Sequence, residues 1–208
     1  MKEIGKGCFL NCSKLNREEY PEIEKNIEEY INEVVKEEHQ KQLKEWTGLK
    51  CGEILFDSTV DDWSEETSVF DERIIGKKQL VFLIEDEEGE IFGYYLNTEV
   101  VKKRYCRQET DSKTFYFNLQ SQNNRLNQPM KFEIKDLKCG GIYLYEKSDY
   151  DLIWLGEICL MKENNKYVSY CEQYEDYFDY HGIEKALCGK IGYDEKFTPK
   201  RILVIQMK

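Results

Sequence analysis

The chain has 208 residues, enough for one domain with a sizeable core plus an appendage. Its 40% hydrophobic and 13% aromatic content indicates a globular protein, because a disordered chain could not bury so much apolar surface. The formal net charge of −11 disfavours binding to nucleic acid or to an anionic membrane, since both carry phosphates. It favours a partner with a basic surface, or serves only solubility.

The first residues lack the long apolar core of a signal peptide. No apolar run reaches the roughly 18 residues that a membrane span needs. We therefore expect a cytoplasmic protein without membrane insertion. Its eight cysteines are then expected to be mostly thiols, because the cytosol keeps cysteine reduced.

Residues 17–45 carry the only long helical pattern of the sequence. Apolar side chains recur at heptad-like spacing, and the stripe fails beyond Val35. The members of the stripe are Ile23, Ile27, Tyr30 and Val34. Two heptads are too few for a stable free coiled coil. The helix either docks on its own domain, or forms a homodimer or binds a partner.

From Cys51 onward the pattern predicts strands and one short helix. Ser68 and Asp71 have the spacing of a capping box, and Gly76 suits the residue after the end of that helix at Ile75. Gly89 is expected to adopt positive φ in a hairpin turn. The predicted strands span residues 53–56, 79–85, 90–97, 114–120, 130–134, 141–146, 155–163 and 201–207, the last deeply buried. Antiparallel strands with few short helices indicate a sandwich-like α+β domain.

Several short motifs follow the order of a known family. They are Leu55-Phe56-Asp57-Ser58, Trp63-Ser64, Val69-Phe70, the apolar run 80–84, Phe92-Gly93, Phe115-Tyr116-Phe117, Ser169-Tyr170-Cys171 and the closing strand 197–207. Together they resemble the TLDc domain of oxidation-resistance proteins over residues 46–208. The chain departs from that family at Lys113, where a glutamate is usual, and at Gly156, which stands where a glycine cluster is usual.

The resemblance implies a two-sheet β-sandwich edged by short helices over residues 46–208. The helical pattern adds an amphipathic N-terminal helical segment, residues 1–45, before it. It also implies a non-enzymatic interaction module without a cofactor. Its implied partner is the peripheral sector of the vacuolar proton-pumping ATPase, with a link to oxidative-stress resistance. Functions that depend on the missing glutamate or on the glycine cluster do not transfer to this chain.

The cysteines suggest an alternative function, a thiol-dependent enzyme that consumes peroxide. Cys106 is flanked by Arg104 and Arg107, whose charges would favour the reactive thiolate. Cys171 is the second candidate, although a small buried hydrophobic role fits it as well. Cys8 and Cys12 lack a second ligand pair at zinc spacing, so no metal site is predicted there.

Residues 172–184 form the most charged stretch of aromatic and acidic residues. Its candidate interaction residues are Glu172, Glu175, Asp176, Asp179, His181 and Glu184. A divalent metal would suit such carboxylates, but no Asp-x-Asp-x-Asp-Gly loop is present. Aromatic anchors among acidic residues favour a protein-binding surface for a basic partner. A third possibility is a dimeric scaffold built through residues 17–45.

Overall fold

The computed structural model describes residues 21–102, 107–122, 125–163, 168–192 and 196–208. Three helices lie within these ranges: α1 Pro21–Val34, α2 Glu37–Thr47 and α3 Phe70–Ile74. The strands there are β1 Cys51–Asp57, β2 Leu80–Asp86, β3 Ile91–Leu96, β4 Phe115–Gln120, β5 Met130–Ile134, β6 Ile142–Leu144, β7 Asp151–Leu155, β8 Ile158–Met161, β9 Ser169–Cys171, β10 Phe178–Asp179, β11 Lys196–Phe197 and β12 Pro199–Met207.

The strands form two antiparallel sheets. The larger sheet has the order β1-β12-β2-β3-β4-β5-β10, and the smaller has the order β11-β9-β8-β7-β6. Their inner faces pack together in one apolar core, to which both sheets contribute. Examples from the two sheets are Phe82, Phe92, Tyr116, Ile153, Leu155 and Ile158. The predicted class, α+β with a two-sheet antiparallel arrangement, is confirmed.

The predicted strands at residues 79–85, 90–97, 114–120 and 201–207 are confirmed as β2, β3, β4 and β12, and their sequences explain their positions. β12 lies between β1 and β2, which accounts for the continuous burial of residues 202–205. Gly89 has φ +87° in the turn between β2 and β3, as expected. Gly93 is required by packing, because a Cβ there would lie 1.9 Å from the carbonyl oxygen of Phe82. The Phe92-Gly93 pair therefore reflects close approach of β2 and β3.

The prediction of one continuous helix over residues 17–45 is wrong in the described part of the chain. The helix breaks between Val34 and Glu37, where Lys36 is extended with ψ 141°. The side-chain amide of Gln40 donates a hydrogen bond to the carbonyl oxygen of Val35 at 2.8 Å, which stabilises the break between the two helices. The break lets two short apolar stripes lie on one sheet. Residues 17–20 lie outside the described residues.

The two helices dock on the outer face of the larger sheet of their own chain. Their buried residues Ile27, Ile31, Val35 and Leu43 join a second apolar cluster with that face. The proposed boundary between residues 45 and 46 falls inside α2, and Trp46 packs on Phe115 with ring centroids 6.1 Å apart. The apolar side chains of the stripe that the structure describes are thus packed against the larger sheet of the same chain. Neither helix, nor α3, is long and apolar enough to cross a membrane.

A buried ion pair fastens α1 to this sheet. The Tyr30 hydroxyl donates to Asp57 Oδ2 at 2.5 Å, and Arg201 Nε donates to Asp57 Oδ1 at 3.1 Å. Burial alone would raise the pKa of Asp57, but the hydrogen bonds from Arg201 and Tyr30 lower it below its usual value. Asp57 therefore links α1, β1 and β12 as a charged group.

Two local predictions are wrong. Residues 155–163 do not form one strand, because Gly156 has φ +64° and turns the chain between β7 and β8. No capping box forms either: the N-cap position of α3 is Val69, with no side-chain cap. Ser68 Oγ instead accepts from the Phe70 amide at 3.2 Å. Gly76 does adopt the expected positive φ, +77°.

Candidate interaction surface

Residues 172–184, called the acidic segment below, leave β9 and run through β10. Two aromatic residues of the segment, Phe178 and Tyr180, are fully buried in the core between the sheets. Glu175, Asp176, His181 and Glu184 are exposed, whereas Glu172 and Asp179 are half-buried. The segment is therefore held by its rings and presents its carboxylates outward.

Glu157, in the turn between β7 and β8, anchors the acidic segment from below. Its side chain is 1% exposed. The Tyr180 hydroxyl donates to Glu157 Oε2 at 2.5 Å, and the Tyr174 amide donates to Oε1 at 3.3 Å. The Glu172 amide donates to the Glu157 carbonyl oxygen at 2.8 Å. One buried residue thus contacts the segment at three points.

The same burial makes Glu157 an unusual acid. The pKa of Glu157 is raised to about 8, chiefly by burial and in smaller part by the carboxylates of Glu172 and Glu175, against the lowering effect of the hydrogen bonds from Tyr180 and Tyr174. Glu157 accordingly changes its charge near neutral pH, directly beneath the acidic segment. The raised pKa could not be predicted from the sequence, because the groups that contact Glu157 are distant from it in the chain.

The second half of the segment is organised around Asp179. The His181 amide donates to Asp179 Oδ1 at 3.0 Å, and His181 Nδ1 lies 3.4 Å from the same oxygen. Lys135 Nζ lies 3.9 Å from Asp179 Oδ1 and donates to the Glu175 carbonyl oxygen at 2.8 Å. Lys135, which the sequence did not single out, therefore links β5 to the acidic segment.

Two tyrosines supply apolar surface beside the carboxylates. Tyr174 is 45% exposed and packs on Tyr177, with ring centroids 5.1 Å apart. The Gln173 amide donates to the Ile183 carbonyl oxygen at 2.6 Å and so ties the start of the segment to its end. Rings and carboxylates on a fixed backbone are a common composition for a protein-binding surface.

The six predicted residues lie along one surface segment and do not converge on a single point. Asp179 and His181 are neighbours, and the charges of Glu172 and Glu175 both raise the pKa of Glu157. Within the described ranges no group of three or more His, Cys, Asp or Glu side chains could hold a metal ion. The arrangement suits binding of a charged surface.

The candidate redox thiols differ in what the structure shows of them. Cys106 lies outside the described residues, so its role stays a prediction. Cys171 is 1% exposed in the core. Burial, followed by contact with the Cys188 thiol, raises the pKa of Cys171 well above its usual value. A protonated and enclosed thiol is a poor nucleophile in the folded protein.

A further concave feature lies where α2 ends over β4 and β5. This cleft of about 470 Å³ is lined by Trp46, Tyr95, Lys113, Phe115, Lys131 and Glu133, among others. Lys131 is held internally, with Nζ 2.7 Å from Glu133 Oε1 and 5.3 Å from the centroid of the Phe115 ring. Lys113 also lines this cleft and is not part of the acidic segment.

Comparisons with known proteins give no family assignment. The chain matches no protein-family model, and no curated protein matches it.

Proposed function

We propose that this chain is a non-enzymatic, TLDc-like interaction module that binds a basic protein surface through the acidic segment. The observation that carries the proposal is the construction of that segment. Buried Tyr180 and Glu157 hold it in place, while Glu175 and Asp176 remain exposed. Such fixed charges lose little conformational entropy on binding, which favours association.

The proposed partner is the peripheral sector of the vacuolar proton-pumping ATPase, and the proposed location is the cytoplasm. Both follow from the sequence resemblance. The two antiparallel sheets are compatible with the sandwich that the resemblance implies, which supports the proposal at the level of fold. A role in oxidative-stress resistance belongs to the same proposal.

A binding assay with the purified peripheral sector tests this function. The chain should cosediment with the sector saturably and change its ATPase activity or assembly. The double variant Glu175→Gln, Asp176→Asn should bind at least about tenfold more weakly, because exposed charges steer association and fix its register. Neither side chain is part of the core, so the fold should be unaffected.

The matched control is the double variant Glu65→Gln, Glu66→Gln. It removes the same number of negative charges from two exposed positions outside the acidic segment. The control should bind as tightly as the natural sequence. Equal weakening of binding in both variants would show that the interaction depends only on net charge. No binding by any of the three proteins would contradict the proposed partner.

A further inference from the structure

The outer face of the smaller sheet carries a row of large side chains. In register across the five strands lie Tyr143, Trp154, Cys159, Tyr170 and Lys196. Tyr145 points to the same face, because side chains alternate along β6 and its extension and Leu144 is buried on the inner side. Four aromatic side chains therefore share one sheet face, called the aromatic face below: Tyr143, Tyr145, Trp154 and Tyr170.

The aromatic face differs from the corresponding face of the larger sheet. α1 and α2 cover the larger sheet, whereas all four rings of the aromatic face are half-buried. Tyr143 and Tyr145 pack with centroids 4.7 Å apart, and Trp154 and Tyr170 pack edge to face at 6.4 Å. Rings supported in this way present apolar area at a low entropic cost of binding.

Carboxylates adjoin these rings. The Cys159 thiol, in the middle of the row, donates to Asp151 Oδ1 at 3.2 Å, which places this carboxylate on the aromatic face. Asp151 also adds to the larger effect of burial in raising the pKa of Tyr145 and Tyr170. Glu172 acts on Tyr170 in the same direction. The combination of an aromatic surface and a nearby negative charge attracts a cation.

One cation–π contact within the chain already lies on the aromatic face. The guanidinium carbon of Arg107 lies 5.6 Å from the centroid of the Trp154 ring, and Arg107 also donates to the Cys139 carbonyl oxygen at 2.9 Å. At the opposite end of the row Lys196 is adjacent to Tyr170. Arg107 thus lies over Trp154 and Lys196 lies at the β11 edge, whereas Tyr145 follows β6, on the side of β7 away from β11.

We propose that the aromatic face binds an arginine-containing segment of a partner protein, with a guanidinium over Tyr145 beside Asp151. A second copy of this chain is a poorer occupant, because two molecules of net charge −11 repel each other. The inference rests on the proposed function only in that the chain acts by binding a protein. It adds a second binding surface and names arginine as the partner side chain that this surface binds.

A short probe peptide tests the inference without the natural partner. An acetylated peptide of alternating glycine and arginine, about six residues long, is titrated into the full chain by calorimetry. Tyr145→Leu keeps apolar volume and removes the ring, so affinity should fall about threefold to tenfold. In the double variant Asp151→Asn, Glu172→Gln the affinity for the peptide should fall by a similar factor. Thermal melts check that each variant is folded.

Three results would overturn the inference. The first is unchanged affinity in Tyr145→Leu. The second is loss of peptide binding in Glu175→Gln, Asp176→Asn alone, which would assign the peptide to the acidic segment and leave the proposed function standing. The third is a concentration-dependent dimer that Tyr145→Leu dissociates, which would make the face a contact between copies. Conversely, peptide binding at the aromatic face without binding to the pump sector would support this inference and contradict the proposed partner.

Discussion

At the scale of single residues, Glu157 is the most consequential position. Its carboxyl is buried beneath Glu172 and Glu175, and no cation is among the groups that most affect its pKa. The folded protein therefore favours the protonated form. Because the same carboxyl accepts hydrogen bonds from Tyr180 and Tyr174, its ionisation and the position of the acidic segment are coupled.

This coupling predicts how stability depends on pH. The pKa of Glu157 is about 8 in the folded chain and near 4.5 when unfolded, so the native state holds an extra proton between these values. Its stabilising effect is complete below about pH 4.5 and is lost as pH rises through about 8. Glu157→Gln should abolish that loss, on the order of 3–5 kcal/mol in the free energy of unfolding.

Urea unfolding at about pH 5, 7 and 9 measures the effect. Any penalty from exchanging a carboxyl for an amide is independent of pH, so the pH slope is the readout. Glu184→Gln, at an exposed position of the same segment, is the control and should keep the natural slope. A slope that is identical in Glu157→Gln and the natural chain would show that Glu157 is ionised throughout.

At the scale of elements, α1 stabilises the larger sheet through Ile31. This side chain is 2% exposed and packs in the cluster beneath α1 and α2. Ile31→Ala should lower the free energy of unfolding by about 2–4 kcal/mol, because it leaves a cavity in a packed site. Urea unfolding gives the value, and Glu28→Ala, on the exposed side of α1, should change it little.

The same variant addresses the dimer that the heptad-like stripe suggests. If the stripe is used only within the chain, light scattering should give a monomer for the natural sequence and for Ile31→Ala. A natural dimer that Ile31→Ala converts to a monomer without loss of stability would instead assign the stripe to a contact between chains.

The sequence predicted those elements whose patterns are local. β2, β3, β4 and β12 are long apolar strands, and Gly76 and Gly89 occupy the expected positive-φ positions. It missed the turn at Gly156, because a single Gly-Glu pair is the only interruption in the apolar segment Leu-Ile-Trp-Leu-Gly-Glu-Ile-Cys-Leu. It also missed β9, β10 and β11, which have only two or three residues and are defined by their pairing partners.

The candidate surface shows the same division between local and tertiary information. The acidic segment was evident from its composition, and its alternating charges and rings indicated a surface with anchors. Glu157, Lys135 and the Cys188 partner of Cys171 were not evident, because each acts across many residues of sequence. The aromatic face was also hidden, since its row draws one residue from each of five strands.

At the scale of the whole molecule, charge is the dominant property. A net charge of −11 on 208 residues produces a long-range field that attracts a basic partner before contact. Salt screens such a field within about 10 Å at 0.1 M ionic strength. The rate of association should therefore depend on salt more strongly than the rate of dissociation, which reflects the contacts formed after docking.

Stopped-flow or surface-based kinetics with the proposed partner, the peripheral sector of the vacuolar ATPase, measures the rate constants of association and dissociation. Between about 50 and 500 mM salt the association rate constant should fall about tenfold or more, with a smaller change in dissociation. Glu175→Gln, Asp176→Asn should flatten this dependence, whereas Glu65→Gln, Glu66→Gln should alter it less, because only the first pair belongs to the proposed interface. If both pairs flatten it equally, the field of the whole chain, and not the acidic segment, steers the encounter.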